Sequence, residues 1–324
     1  MFNYVMRRIL TAIPILFGVT IINFIIMKMA PGNPVDMLVS PKLPAAAIEA
    51  KKIELGLNEP AYVQYISWLK NLVLHGDLGY SMITYEPVGQ MIWEHMGPTV
   101  LLMGTSLLLG VAIAIPLGIL SASRQYSKLD YTAVTGSFLG ISIPNFFLGL
   151  GLIYVFSIQL KLLPSSGMTE LGGKGGFLDV LLHLILPVIV LTANVSGRII
   201  RYVRSSVLEI LGQDYLRTAR AKGLKEFLVV NRHAMRNALL PIVTVLGMEI
   251  PILFGGAVVI EQIFSWPGIG QLTLSSIMSR DYSTIMGLNL VAAVVVIFAN
   301  LLTDVVYAFV DPRIKYSYQG ETGS

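Results

Sequence analysis

The sequence predicts an all-α membrane protein with six transmembrane helices and both termini on the cytoplasmic side. Three observations carry that prediction. Of the 324 residues, 54% are hydrophobic and only 13% are charged, against about 25% charged in soluble domains. Charge-free runs long enough to cross a bilayer, roughly 20 residues, recur at Ile9 to Met27, His95 to Ser123, Tyr131 to Leu160, Val180 to Gly197 and Tyr282 to Thr303. A sixth run, Asn237 to Ile260, is broken only by Glu249. Finally, the Lys and Arg of short connections gather on one side, where they resist translocation. That side holds Arg7 and Arg8, Arg124 and Lys128, a basic segment near residue 220, and Arg313 and Lys315.

The elements follow in order. Arg7 and Arg8 precede an apolar run too long for a signal-peptide core, and no small-residue cleavage site follows it, so it reads as span one. It stops at Ala30-Pro31-Gly32-Asn33-Pro34, where two prolines remove backbone donors and restrict the residues before them. Residues 1–94 then form the first span plus an outer segment. Its apolar positions (Ile48, Ile53, Leu55, then Tyr62, Ile66, Leu69, Leu72) recur at helical intervals and predict short surface helices. Five further spans are expected at about 98–121, 131–157, 180–203, 240–262 and 284–308. Asp311-Pro312-Arg313 ends the last of them, and residues 312–324 form a polar tail.

The connection between spans four and five, 206–240, is the most informative stretch. Asp214 is a suitable N-cap and Gly223 suits a left-handed C′ position, which frames a two-turn helix from Tyr215 to Lys222. Alone in water so short a helix would not hold. Its order must come from packing, with Tyr215, Leu216, Ala219 and Leu224 as the apolar side and Arg217, Arg220 and Lys222 as donors. Small Ala and Gly positions let a partner surface come close. Pro241 fits near the start of the next helix. Upstream, Arg198, Arg201 and Arg204 share one helical face and read as ligands for anionic lipid headgroups.

Other chemistry is poorly supported. Cysteine is absent, so there is no thiolate or disulfide framework. No phosphate-binding G-x-x-x-x-G-K-[ST] occurs, and Gly172-Gly173-Lys174-Gly175-Gly176 reads as a flexible loop. Neither His-Glu-x-x-His nor a Gly-x-Ser-x-Gly elbow is present. His75, His95, His183 and His233 are scattered without metal-ligand spacing, and His183 reads as a hydrogen-bonded interfacial residue. We expect no catalytic residue, no metal and no nucleic acid.

Polar residues inside spans are costly and usually face protein or water. Glu249, close to Pro251, has two readings: a wall of a translocation pathway or partner contact, or a hydrogen-bonded structural acid. Asn194, Asn289 and Asn300 read as interhelical hydrogen-bonding residues. Asn194 and Asn289 join Glu249 as candidates for a pathway or inter-subunit surface. Asp304 reads as an acid reaching an interfacial Arg. Gly149, Gly151, Gly255 and Gly256 predict close helix packing.

Arg217-Thr218-Ala219-Arg220-Ala221-Lys222-Gly223, continuing to His233-Ala234-Met235-Arg236-Asn237-Ala238-Leu239-Leu240-Pro241, resembles the EAA loop of ABC-importer permeases of the oligopeptide/dipeptide/nickel family. Arg217 stands where the general pattern has glutamate, and Arg236 where it has proline, as in the peptide-permease variant. A glutamate contact at that first position is therefore not expected. Further blocks extend the resemblance over nearly the whole chain: Gly76-Asp77-Leu78-Gly79-Tyr80-Ser81, Ile143-Pro144-Asn145-Phe146-Phe147, Leu163-Pro164-Ser165-Ser166-Gly167, Gly256 to Glu261, and Phe264-Ser265-Trp266-Pro267-Gly268-Ile269-Gly270. The long outer segment after span one is similar to the first-subunit type.

The resemblance implies a type I ABC-importer transmembrane domain over residues 95–311 and a multi-pass location in the cell (inner) membrane. It further implies a second homologous permease subunit, two ABC ATPase subunits (alike or different) and an extracytoplasmic solute-binding protein. The chain itself would bind no cofactor, and ATP would be used by the partner ATPases. Asp214, Tyr215, Leu216, Arg217, Thr218, Ala219, Arg220, Ala221, Lys222 and Gly223 would couple it to an ATPase. Peptides are the implied cargo, with nickel complexes or oligosaccharides as alternatives. An autonomous secondary transporter is the competing class, but it predicts repeats and paired broken spans carrying charged sites.

Overall fold

The computed structural model describes residues 2–29, 53, 58–170, 172, 175–224, 228, 229 and 235–310. Side chains are described for fewer of these, with those of residues 2–5, 219, 220, 235–240 and 307–310 left out. The expected stop at Ala30 to Pro34, the outer positions Ile48 and Leu55, His233, the Asp311-Pro312-Arg313 stop and the polar tail therefore lie outside the described residues.

Among the described residues, regular structure is helical throughout. The order is α1 (Phe2–Met29), α2 (Ala61–His75), α3 (Val88–Ser123), α4 (Lys128–Ser142), α5 (Asn145–Leu152), a π-helix (Ile153–Gln159), α6 (Phe177–Leu211), α7 (Asp214–Ala221), α8 (Met235–Ile263), α9 (Ile269–Ser279) and α10 (Tyr282–Val310). Five helices are long and apolar enough to cross a membrane, or six if the bent pair Lys128–Ser142 and Asn145–Gln159 is one span.

That pair covers the expected span 131–157, and it is not a straight helix: it bends by 97°. Pro144 clashes with a helical residue before it, and Ile143 is accordingly extended at φ −77° and ψ 120°. The helix restarts at Asn145, with the N–H groups of Phe147 and Leu148 both donating to the Pro144 carbonyl at 3.0 Å. Pro241 also departs from expectation. It lies six residues into α8, not in its first turn, because the helix already begins at Met235.

The chain divides into two compact units. The first comprises Met1–Val100 and Pro267–Ile297. In it, α1 and α2 meet through Thr20 Oγ1 and the Tyr65 hydroxyl at 2.9 Å, and Phe17 and Phe24 pack around the Tyr65 ring. A buried carboxylate organises the rest. Asp281 accepts from Ser81 Oγ at 2.5 Å, from the Met82 N–H at 3.1 Å and from Thr284 Oγ1 at 2.7 Å. Ser81 in turn receives the Ile83 and Thr84 N–H groups. This knot fixes the Gly76 to Ser81 block, whose structural purpose the sequence did not reveal.

The second unit comprises Leu101–Trp266 and Phe298–Ser324. Its core runs along α6, the most buried of the spans, where Val190, Val195, Ile199 and Val207 are inaccessible to solvent and pack with Leu102, Ala114 and Ile260. Gly140 and Gly197 allow α4 and α6 to touch backbone to backbone: a Cβ at Gly140 would lie 2.6 Å from the Ala193 carbonyl oxygen, and one at Gly197 2.7 Å from that of Ser137. Of the glycines expected to pack closely, Gly149 abuts Phe264, whereas Gly151 and Gly255 face open space. Phe264 and Trp266 are fully buried and close a corner in which the Gly167 N–H donates to the Phe264 carbonyl at 2.7 Å.

Candidate functional site

α6 ends at Leu211 with Gly212 as its C-cap, and the chain turns at once into α7. The Leu216 N–H donates to the Gln213 carbonyl at 3.1 Å, so Gln213 takes the capping place and Asp214 becomes the first helical residue. This shifts the expected cap by one position, and the Asp214 carboxylate instead lies 3.5 Å from Arg217 Nη1. Both side chains are largely exposed, so solvent screens that contact. Gly223 has φ +80°, the left-handed conformation expected of it.

Packing explains why so short a helix persists. Leu216 is fully buried in a small cluster with Val229, Ile210 and Leu211, which staples α7 to the end of α6. Tyr215, Ala221, Lys222 and Leu224 stay exposed. Of the expected apolar side, then, Leu216 faces inward, while Tyr215 and Leu224 remain on the surface. The Ala219 and Arg220 side chains lie outside the described ones. The result is a capped, anchored helix with an exposed aromatic, small and basic surface.

Above it, the three arginines of α6 act as rungs. Arg198 donates from Nε to Glu249 Oε1 at 2.9 Å and from Nη2 to Oε2 at 2.6 Å, joining α6 to α8. Its Nη1 donates to Asn194 Oδ1. Glu249 is 2% exposed. Arg201 lies over the Phe138 ring at 5.2 Å. Arg204 donates from Nε to Asp130 Oδ1 at 2.7 Å and from Nη2 to Oδ2 at 2.9 Å. The reading of Arg198 and Arg204 as headgroup ligands is thereby corrected, because each is ion-paired to an acid of a neighbouring helix, whereas Arg201 remains exposed beside its ring. Their spacing fitted either role, and only the positions of the distant acids and ring distinguish them.

Asp130 itself went unnoticed in the sequence. It sits in the first turn of α4, which Ser127 caps by accepting the Asp130 N–H at 3.2 Å. Besides Arg204, its carboxylate accepts from Ser121 Oγ on α3 and from the Tyr126 N–H at 2.9 Å. A capping serine three residues before an acid is the signal that could have found it. Of the three pathway or inter-subunit candidates, Asn194 and Glu249 meet through Arg198, while Asn289 is half-buried on α10 in the first unit. His183 contacts the Asp179 carbonyl at 2.9 Å and its carboxylate at 3.1 Å. Among the described residues, no group of three His, Cys, Asp or Glu could hold a metal ion.

A helical, multi-pass chain with a short anchored helix after its most buried span has the make-up of a transporter's transmembrane domain. Residues 114–316 match the family described as binding-protein-dependent transport system inner membrane component, and residues 1–103 match its N-terminal membrane component family. The chain belongs to this family of ABC-importer permeases. It is 48% identical over 315 residues to the oligopeptide transport system permease protein AppB of Bacillus subtilis, covering 97% of this chain and 99% of that one. It is 39% identical over 316 residues to the glutathione transport system permease protein GsiC of Escherichia coli K12, covering 98% and 100%. Among solved structures, a chain of the inward-facing MetNI methionine ABC transporter aligns with a TM-score of 0.57 at 18% identity, covering 69% of this chain and 97% of that chain. That last likeness concerns the fold alone.

Proposed function

We propose that this chain is the permease subunit of an ATP-driven importer of peptides in the cell membrane, with both termini cytoplasmic. It would pair with a second, similar permease to enclose the pathway and receive cargo from an extracytoplasmic binding protein. ATP is bound and hydrolysed by two separate ATPase subunits, and this chain takes no cofactor. The observation that carries the reading is α7. A two-turn helix stapled at Leu216 and stopped at Gly223 presents Tyr215, Arg217, Thr218, Ala221 and Lys222 as a rigid projection suited to a groove on an ATPase, with Ala219 and Arg220 in the same helix. Relatives named for oligopeptide and glutathione transport support peptides over nickel complexes or oligosaccharides.

Closure of the ATPases on ATP would displace α7, and the spans would rock between inward- and outward-open states that differ in their contacts. Glu249 and Asn194, joined by Arg198, and Asn289 are the proposed pathway or inter-subunit residues. Gly223→Val tests the docking role, because a β-branched residue is strained at φ +80°. Co-purification of the ATPases should fall about tenfold or more, the equivalent of about 1.4 kcal/mol. Unchanged co-purification, or uptake by this chain alone in liposomes without ATP, would overturn the proposal.

A further inference from the structure

We infer that the Asp130–Arg204 pair is the linkage that makes α4 follow α6 when α7 is displaced, so that both are positioning residues for transport while touching neither cargo nor nucleotide. The inference rests on the permease reading and deepens it. α7 is fixed to the end of α6 by the fully buried Leu216 against Ile210 and Leu211. α6 then continues as one helix back to Arg204, about 10 Å from Leu211 at 1.5 Å per residue. A push on α7 therefore reaches Arg204 as the movement of a single rigid element.

At Arg204 the movement meets a carboxylate that is held from several sides. Asp130 is 3% exposed and accepts from Arg204 Nε and Nη2, Ser121 Oγ and the Tyr126 N–H. The two guanidinium bonds run side by side, which resists rotation as well as stretching. Ser121 belongs to α3 and Tyr126 to the turn after it, so the same carboxylate ties both α3 and α4 to α6.

Elsewhere α4 and α6 meet through the small residues Gly140, Ala193, Ser137 and Gly197, with Ile141 beside Gly197 and the Arg201 guanidinium over the Phe138 ring. Contacts of this kind lack the fixed directional geometry of a bidentate ion pair, which holds both distance and angle. The clamp supplies that geometry. Breaking it mid-cycle would leave a buried charge without its partner, so the pair stays closed while the helices move together.

The test uses the assembled transporter. The chain lacks cysteine, so Thr132→Cys on α4 and Glu209→Cys on α6, both exposed, place spin labels at defined positions. Their separation is measured by double electron–electron resonance in nanodiscs, nucleotide-free and after trapping with ATP and vanadate. In the parent the separation should stay constant between the two states. In Asp130→Asn and Arg204→Gln it should shift by about 2 Å or more on trapping, with the ATPases still bound. A parent separation that shifts, or single variants in which it stays constant, overturns the inference. So does loss of the ATPases from the single variants alone, since the pair would then be a scaffold. Failure of the parent itself to retain ATPases or trap nucleotide would instead count against the permease reading.

Discussion

At the scale of single residues, the buried ion pairs of α6 dominate. Glu249 is nearly inaccessible, and its charge is tolerated because Arg198 reaches it with two nitrogens. Arg198→Ala would strand that carboxylate. The expected cost is about 3–5 kcal/mol, read as a lower midpoint of thermal unfolding in detergent. Replacing both residues by leucine should cost less than Arg198→Ala alone, because no charge is then left unpaired. If the double variant were the worse of the two, the pair would owe its place to something other than mutual neutralisation. Glu249 and all three arginines stand out in the sequence, but who meets whom does not. Partners 51 and 74 positions apart leave no local periodic signal.

Among elements, α7 and the bent pair α4–α5 are the informative cases. The frame of α7 was legible to within a residue from Asp214 at its start and Gly223 just past its end, since helix ends use local backbone chemistry. The buried anchor was not, because Leu216 and Tyr215 look alike in an apolar pattern and only folding sends one inward. Leu216→Ala should remove about 2–5 kcal/mol of packing, and hydrogen exchange over residues 214–221 should quicken relative to α6. Unchanged exchange would mean that α7 does not depend on this staple. The break at Pro144 was written plainly in the sequence, yet an unbroken hydrophobic run made it read as one span. Hydropathy measures transfer to lipid, whereas the bend is decided by proline sterics.

For the whole molecule, orientation is the testable property. If the basic connections face the cytoplasm, a membrane-impermeant maleimide applied to intact cells should label Lys161→Cys and leave Lys128→Cys unlabelled. Both positions are exposed. The opposite pattern would invert the topology and put α7 on the wrong side for an ATPase. The pairs that Arg204 and Arg198 of α6 make with Asp130 and Glu249 would then have no drive at the end of α6.

The sequence by itself determined the class: a helical membrane chain, its approximate spans and the frame of the short helix after Gly212. These depend on composition, charge asymmetry and residues adjacent in the chain, and the ordered motifs resembling a permease family added the kind of transporter. Tertiary structure alone decided that the arginines of α6 bind neighbouring helices, that Leu216 anchors α7, and that Asp130 and Asp281 are organising carboxylates. Each of those outcomes is a meeting of residues distant in sequence. A buried charge is stable only beside a specific partner, and which partner stands beside it is known only once the helices have packed.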